Sequence, residues 1–178
     1  MPRNTRDLLL DAGEAVIERL GMTGLSVNHV VAEAGVAKGT FYVHFADRET
    51  FIEALHARFY ARVDAAMNAA TANVPPGRDL LWAAVGAYLD TCLEGRAVKA
   101  LVMEMRGQGA ETDSMNSRLQ GFAEAAAPSL KAIGWREPKV AARLMVAMTS
   151  EVALMELEAG KRVPAARRSL YAFIESRG

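Results

Sequence analysis

From Thr5 to Leu20 the apolar positions recur at helical spacing. Leu9, Ala12, Val16 and Leu20 form one stripe, broadened by Leu8 and Ile17, while Asp7, Asp11, Glu14 and Glu18 fall on the opposite side. The pattern predicts an amphipathic helix that Gly21 and Gly24 end. A different arrangement follows from Leu25 to Phe45, LSVNHVVAEAGVAKGTFYVHF. Ser26 is a good N-cap, since its hydroxyl can accept a bond from an orphan amide one turn on. Val27, Val30, Val31 and Ala34 supply a small apolar face. Gly35 stands where a chain leaving one helix adopts a left-handed conformation. Val36 can plug the gap before a second short helix, Lys38 to His44. That helix offers Lys38, Thr40, Tyr42 and His44 as hydrogen-bond donors, with Phe41 and Phe45 free to turn inward. Two short helices across a tight turn form a helix–turn–helix, whose second helix enters the DNA major groove.

Asp47 is then the expected cap of a long helix, with Glu49 in the first turn where the helix dipole favours acid. Phe51 or Ile52, Leu55, Phe59, Val63 and Met67 carry its period to about Ala72. The run Asn73 to Gly77, NVPPG, is the clearest breaker in the chain. Beyond it, Leu81, Val85, Tyr88 and Cys92 make a stripe widened by Trp82 and Leu89, ended by Gly95. A short helix is expected from Arg96 to Arg106, and a loop from Gly107 to Asp113, with Asp113 capping the next helix. That helix carries Met115, Leu119 and Phe122 towards Pro128, where it should kink or stop. Pro138 and Pro164 each fit a helix first turn. The helix opened by Pro138 runs through Leu144, Met145, Met148, Val152 and Met155 to Gly160; the last holds Leu170, Tyr171, Phe173 and Ile174. With no alternating strand and no internal repeat, the pattern predicts an all-α protein of about nine helices.

Composition narrows the classes. At 178 residues, 51% hydrophobic and 24% charged, the chain suits a folded protein with a substantial core. No apolar run approaches the roughly 20 residues of a membrane span. Acidic Asp7, Asp11 and Glu14 rule out reading the N-terminus as a signal peptide, so a cytoplasmic protein is expected. The lone Cys92 precludes an intrachain disulfide. Lysine and arginine balance aspartate and glutamate at 21 each, and the N-terminal region is slightly acidic. Any DNA affinity must therefore come from placement and from pairing of two copies.

The stretch AGVAKGTFYVHFADRETFIEAL, Ala34 to Leu55, resembles the TetR family of bacterial transcriptional regulators. The shared features are a small residue, Gly and Val, then Lys-Gly-Thr, aromatic-Tyr, His-Phe, and a basic residue before Glu. Two positions depart from the family pattern. Ala37 replaces the usual Ser or Thr, removing a side-chain cap generally worth about 1 kcal/mol. Arg48 replaces the common Lys and keeps the charge. The resemblance implies a helix–turn–helix DNA-binding domain over residues 1–50 and a larger helical ligand-binding and dimerisation domain over 51–178. It also implies a homodimer on a palindromic double-stranded operator, acting as a repressor that a small molecule relieves.

On this reading Lys38 and Thr40 contact bases or phosphate, and Gly39 lets the backbone come close. Tyr42 and His44 donate to phosphates, while Ser26, Asn28 and Arg48 are further backbone-contact candidates. Arg3 and Arg6 are candidates for the minor groove, against an ordinary flexible terminus. Six of the nine methionines lie between Met103 and Met155. Adaptable methionine with aromatic neighbours suits a cavity for a small apolar or aromatic effector, although the same residues at helical spacing also make plain core. The pocket candidates are Trp82, Tyr88, Cys92, Met103, Met105, Met115, Phe122, Met148 and Glu151, with Trp135 close by in sequence. Arg96, Glu104 and Arg106 are candidates for polar selectivity. Small residues Ala141, Ala142, Ala147 and Ala153, with larger anchors from Leu170 to Ile174, point to a dimer interface in the last two helices.

An enzyme is not supported. His29, His44 and His56 share no metal-ligand spacing, Cys92 has no evident base, and no glycine-rich phosphate loop follows a strand. No cofactor or metal is expected. A helical interaction module that does not read DNA and a redox sensor built on Cys92 are the alternatives.

Overall fold

The computed structural model describes residues 4–95 and 113–176, with side chains in the second stretch from residue 116 onward. Among these residues there are eight α-helices and no strand: α1 (Thr5–Leu20), α2 (Val27–Ala34), α3 (Lys38–His44), α4 (Arg48–Thr71), α5 (Arg78–Glu94), α6 (Asp113–Ala132), α7 (Pro138–Ala159) and α8 (Pro164–Glu175). The helix expected at Arg96–Arg106 lies outside the described residues.

The chain divides into two compact units, and the division falls inside α4, between Ala61 and Arg62. The first turns of α4, through Ala61, belong to the N-terminal unit.

Local chemistry sets the helix ends of the N-terminal unit. The Asn4 side chain accepts from the Arg6 amide at 3.2 Å, and the Ser26 hydroxyl from the His29 amide at the same distance. Gly35 adopts φ 67°, and the Val36 amide returns to the Val31 carbonyl at 3.0 Å, closing α2. Ala37 gives α3 no side-chain cap, as its sequence implies. Asp47 Oδ1 accepts from the Thr50 amide at 2.7 Å and starts α4. That bond, before any other influence, holds the exposed Asp47 carboxyl below the usual aspartate range.

The core of this unit is aromatic at its centre. Phe41 and Phe45 of α3 meet Phe51 of α4 in a triangle with centroid separations of 5.0–5.5 Å. All three are essentially buried, alongside Leu9, Val16, Leu25, Val30, Leu55 and Phe59. Full burial of each such side chain contributes roughly 1.5–3 kcal/mol. Leu20 departs from the expected stripe: in the last turn of α1 it is 42% exposed.

The C-terminal unit is built from the end of α4 and from α5–α8. Leu81, Val85, Tyr88, Leu89 and Cys92 are buried on α5, as their spacing predicts. α6 does not stop at Pro128 but continues to Ala132. Pro128 and Glu124 stand on its exposed side, so the carbonyl that loses its amide partner is open to water, while Ala126, Ser129 and Leu130 stay buried. Leu170 and Ile174, expected as dimer anchors, are instead buried within the subunit at 1% and 0% exposure.

Near the C-terminus an ion cluster replaces apolar packing. Glu156 is 1% exposed, yet it accepts both Nε and Nη2 of Arg167 at 2.7 Å and the Val163 amide at 2.9 Å. Arg167 also reaches Asp90 at 2.8 Å, and Arg162 meets Asp90 at 2.9 Å. Burial alone would raise the Glu156 carboxyl. The Arg167 and Val163 hydrogen bonds, with the charges of Arg167 and Arg162, outweigh it and hold the group below its usual range. Arg167 is raised in turn, chiefly by its bond to Glu156.

Candidate nucleic-acid interface and effector cavity

The geometry of α3 follows from the aromatic triangle. Because Phe41 and Phe45 point into the core, the intervening positions must point out. Lys38 and Gly39 are exposed, Tyr42 is 50% exposed, and Thr40 and His44 are half-buried at the edges. The outward face also holds Val43, at 79% exposure the most open large apolar side chain described. Considering only hydrogen-bond donors passes over Val43. Its signal was the burial of Phe41 and Phe45, which leaves positions 42 and 43 on the free side. A side chain at Gly39 would meet nothing within 4 Å, so the space beside it is open to a partner.

The supporting residues divide between holding and offering. Ser26 is occupied as the cap of α2, and Asn28 is exposed in that helix's first turn. His29 makes a 2.6 Å contact from Nδ1 to the Gly24 carbonyl, fixing the approach to the helix. Arg48 donates from Nε to the Leu25 carbonyl at 2.8 Å, joining α4 to the segment before α2. A lysine has no comparable planar fork with which to hold one acceptor and still present nitrogens elsewhere. Arg58 makes a second clamp, with Nη1 on Asp11 and Nη2 on Glu14 of α1, both at 2.7 Å. The guanidinium of Arg6 lies over the Phe45 ring at 5.2 Å, a cation–π contact rather than the free arm considered from the sequence; Arg3 lies outside the described residues.

The C-terminal unit holds a cavity of about 370 Å³. Leu80, Leu81, Ala84, Val85 and Tyr88 of α5 form one wall; Leu119, Phe122, Ala125 and Ala126 of α6 form another. Tyr88 and Phe122 meet edge to face at 6.1 Å. α7 contributes Met145, Val146, Thr149 and Ser150, and α4 contributes Asp64, Met67, Asn68 and Thr71. Two of the residues expected here, Tyr88 and Phe122, are therefore brought together. Trp82, Cys92, Met148 and Glu151 are not among the lining residues. Trp82 contacts Tyr171 and Trp135 contacts Phe173, Cys92 is buried, and Glu151 is exposed on α7. Met103 and Met105 lie outside the described residues, as do Arg96, Glu104, Arg106 and the Met115 side chain.

The polar lining residues of α4 were legible as a row at i, i+4 and i+7, but the adjacent Val63 and Met67 stripe gave that helix the look of plain core. Among the described residues no cluster of three or more His, Cys, Asp or Glu side chains could hold a metal, and no helix is long and apolar enough to cross a membrane.

A helix–turn–helix with an outward donor-bearing second helix, followed by a helical unit enclosing a cavity, defines the class of fold. Residues 9–55 match the family of bacterial regulatory proteins described as tetR family. The chain is similar to the HTH-type transcriptional repressor NemR of Escherichia coli, with 38% identity over 58 residues. That stretch spans 33% of this chain and 29% of the repressor. Its fold is like that of a TetR-like transcriptional regulator from Rhodococcus sp. RHA1, with 21% identity, TM-score 0.81, and coverage of 98% of this chain and 96% of the other. It is also like that of EbrR, described as a multidrug binding protein complexed with imidazole, at 23% identity and TM-score 0.72, covering 100% and 96% of the two chains.

Proposed function

We propose that the protein is a ligand-responsive transcriptional regulator that binds a palindromic operator as a homodimer, represses there, and is released by a small apolar or aromatic effector. The observation that carries the reading is the outward face of α3, where Lys38, Tyr42 and Val43 stand free while Phe41 and Phe45 anchor the helix. Lys38 can donate to guanine or phosphate, the Tyr42 hydroxyl to phosphate, and the Val43 methyls suit a thymine methyl. Thr40, His44, Asn28 and the remaining guanidinium nitrogens of Arg48 are further contacts to the strand backbone.

Pairing of two copies is supported by α7, whose exposed side carries Val140, Leu144 and Met155 at 55%, 53% and 41% exposure, with Ala147 between them. Such a stripe fits a helix-on-helix interface between two copies. The multidrug-binding description of a neighbour in fold and the mostly apolar cavity support an effector site.

α4 supplies the coupling. Arg48 ties its first turn to Leu25 just ahead of α2, Arg58 ties its first half to α1, and Asp64, Asn68 and Thr71 bring its second half to the cavity. An effector that favours one position of α4 shifts the population of reading heads away from the roughly 34–36 Å spacing of successive major grooves. The test is fluorescence anisotropy with DNA from the gene's own upstream region at matched salt. Binding that weakens in Lys38→Ala and Tyr42→Phe supports the reading; unchanged affinity in both removes it.

A further inference from the structure

The polar groups of the cavity point to the chemistry of its ligand. Thr71 Oγ1 donates to the Met67 carbonyl at 2.8 Å and Thr149 Oγ1 to the Met145 carbonyl at 2.7 Å. With their hydrogens committed to backbone, both hydroxyls offer only lone pairs to a guest. Asp64 offers a carboxylate: Arg118 holds Oδ2 at 3.0 Å, which leaves Oδ1 for a second donor. Asn68 can serve either way. Ser150 is 8% exposed and lines the cavity with a hydroxyl for which no protein partner is described. The described lining residues include no Lys, Arg or His. Beside the Tyr88 phenol and the Arg118 guanidinium already held by Asp64, the wall presents the Asp64 carboxylate and two threonine hydroxyls as acceptors for a guest.

Resting on the effector reading above, we propose that the cavity selects an apolar molecule whose polar end is a hydrogen-bond donor without negative charge, best a protonated amine set against Asp64. A carboxylate guest would bring lone pairs to lone pairs and a negative charge towards Asp64, losing water contacts that the wall does not replace. An ammonium satisfies Asp64 Oδ1 and has hydrogens left for Thr71 or Ser150. An alcohol has one hydrogen to give and stands between the two.

Titration calorimetry of the full-length protein with heptylamine, heptanol and heptanoate holds the apolar body constant and varies the head. The expected order is amine, alcohol, carboxylate, with the amine at least about tenfold tighter than the carboxylate, as a charge-assisted bond allows. Asp64→Asn should reduce the amine to the level of the alcohol, and Ser150→Ala should weaken the alcohol. Asp64 lies at a half-exposed position, so its substitution is compatible with folding. Equal or tighter binding of heptanoate, or an amine preference that survives Asp64→Asn, would overturn this inference and leave the effector site standing. Failure of all three compounds to bind would overturn both.

Discussion

The two units of the chain hold their structure by different means. In the N-terminal unit, α2 and α3 have 8 and 7 residues, too short to persist alone. α2 depends on its Ser26 cap and α3, which has no side-chain cap, on the aromatic triangle, while Arg48 ties α4 to Leu25 just ahead of α2. In the C-terminal unit α5, α6 and α7 have 17, 20 and 22 residues. Their packing leaves room for a cavity, and a void forfeits the dispersion contacts that a filled core would make. One unit constrains nearly every residue to present a fixed outer face; the other requires only that long helices surround a space. That contrast accounts for a sequence match concentrated in residues 9–55 beside a likeness of fold across nearly the whole chain at 21% identity.

The largest expected effect breaks the C-terminal unit and spares the reading surface. Arg167→Leu leaves Glu156 buried without its cation, and loss of one partner of such a pair generally costs about 3–5 kcal/mol. Urea denaturation should show that loss, while the protein that remains folded keeps its operator affinity. A loss below about 1 kcal/mol would mean that water reaches Glu156.

Next comes the converse experiment on the head. Lys38→Ala should weaken operator binding by about 1–3 kcal/mol if Lys38 reads a guanine. Thermal unfolding should be unchanged, because Lys38 makes no described contact in the protein. Val43→Ser should have a smaller effect, about 1 kcal/mol, confined to operators with thymine at one position. Uniform weakening across all DNA sequences would assign Val43 to shape rather than base contact.

The smallest effects are those of pH. His56 of α4 has its pKa lowered from 6.5 by burial. The unfolded chain therefore takes up a proton before the folded one does, and stability is full above that value and declines as pH falls through and below it. Glu156, held below its ordinary 4.5, contributes stability above that value and loses it in more acidic solution. His56→Gln should flatten the first decline alone, measured by denaturation at a series of pH values.

How much could be read in advance also differs between the units. Ser26, Gly35, Phe41, Phe45 and Asp47 each act through local backbone chemistry or a short spacing, and the structure places them as the sequence suggests. The division inside α4 left no mark, since a helix that serves two units keeps one unbroken period. Met67 and Met145 line the cavity while Met148 does not, although all three are methionines on helical stripes. Composition identified a class of side chain, but only the packing of α4 to α7 selects which copies face the void. Leu170 and Ile174 looked like interface anchors for a similar reason: an apolar stripe does not say whether its partner is in the same chain or in another.

Gly13 extends the reach of the aromatic triangle. A Cβ at this α1 position would lie 2.5 Å from Phe51 Cζ, and Phe51 has no slack because Phe41 and Phe45 hold its other sides. Any larger residue at 13 pushes, through Phe51, on α3, the helix proposed to read DNA. A genetic screen for loss of operator binding should therefore recover changes at a buried glycine that touches no nucleotide, as readily as changes on α3 itself.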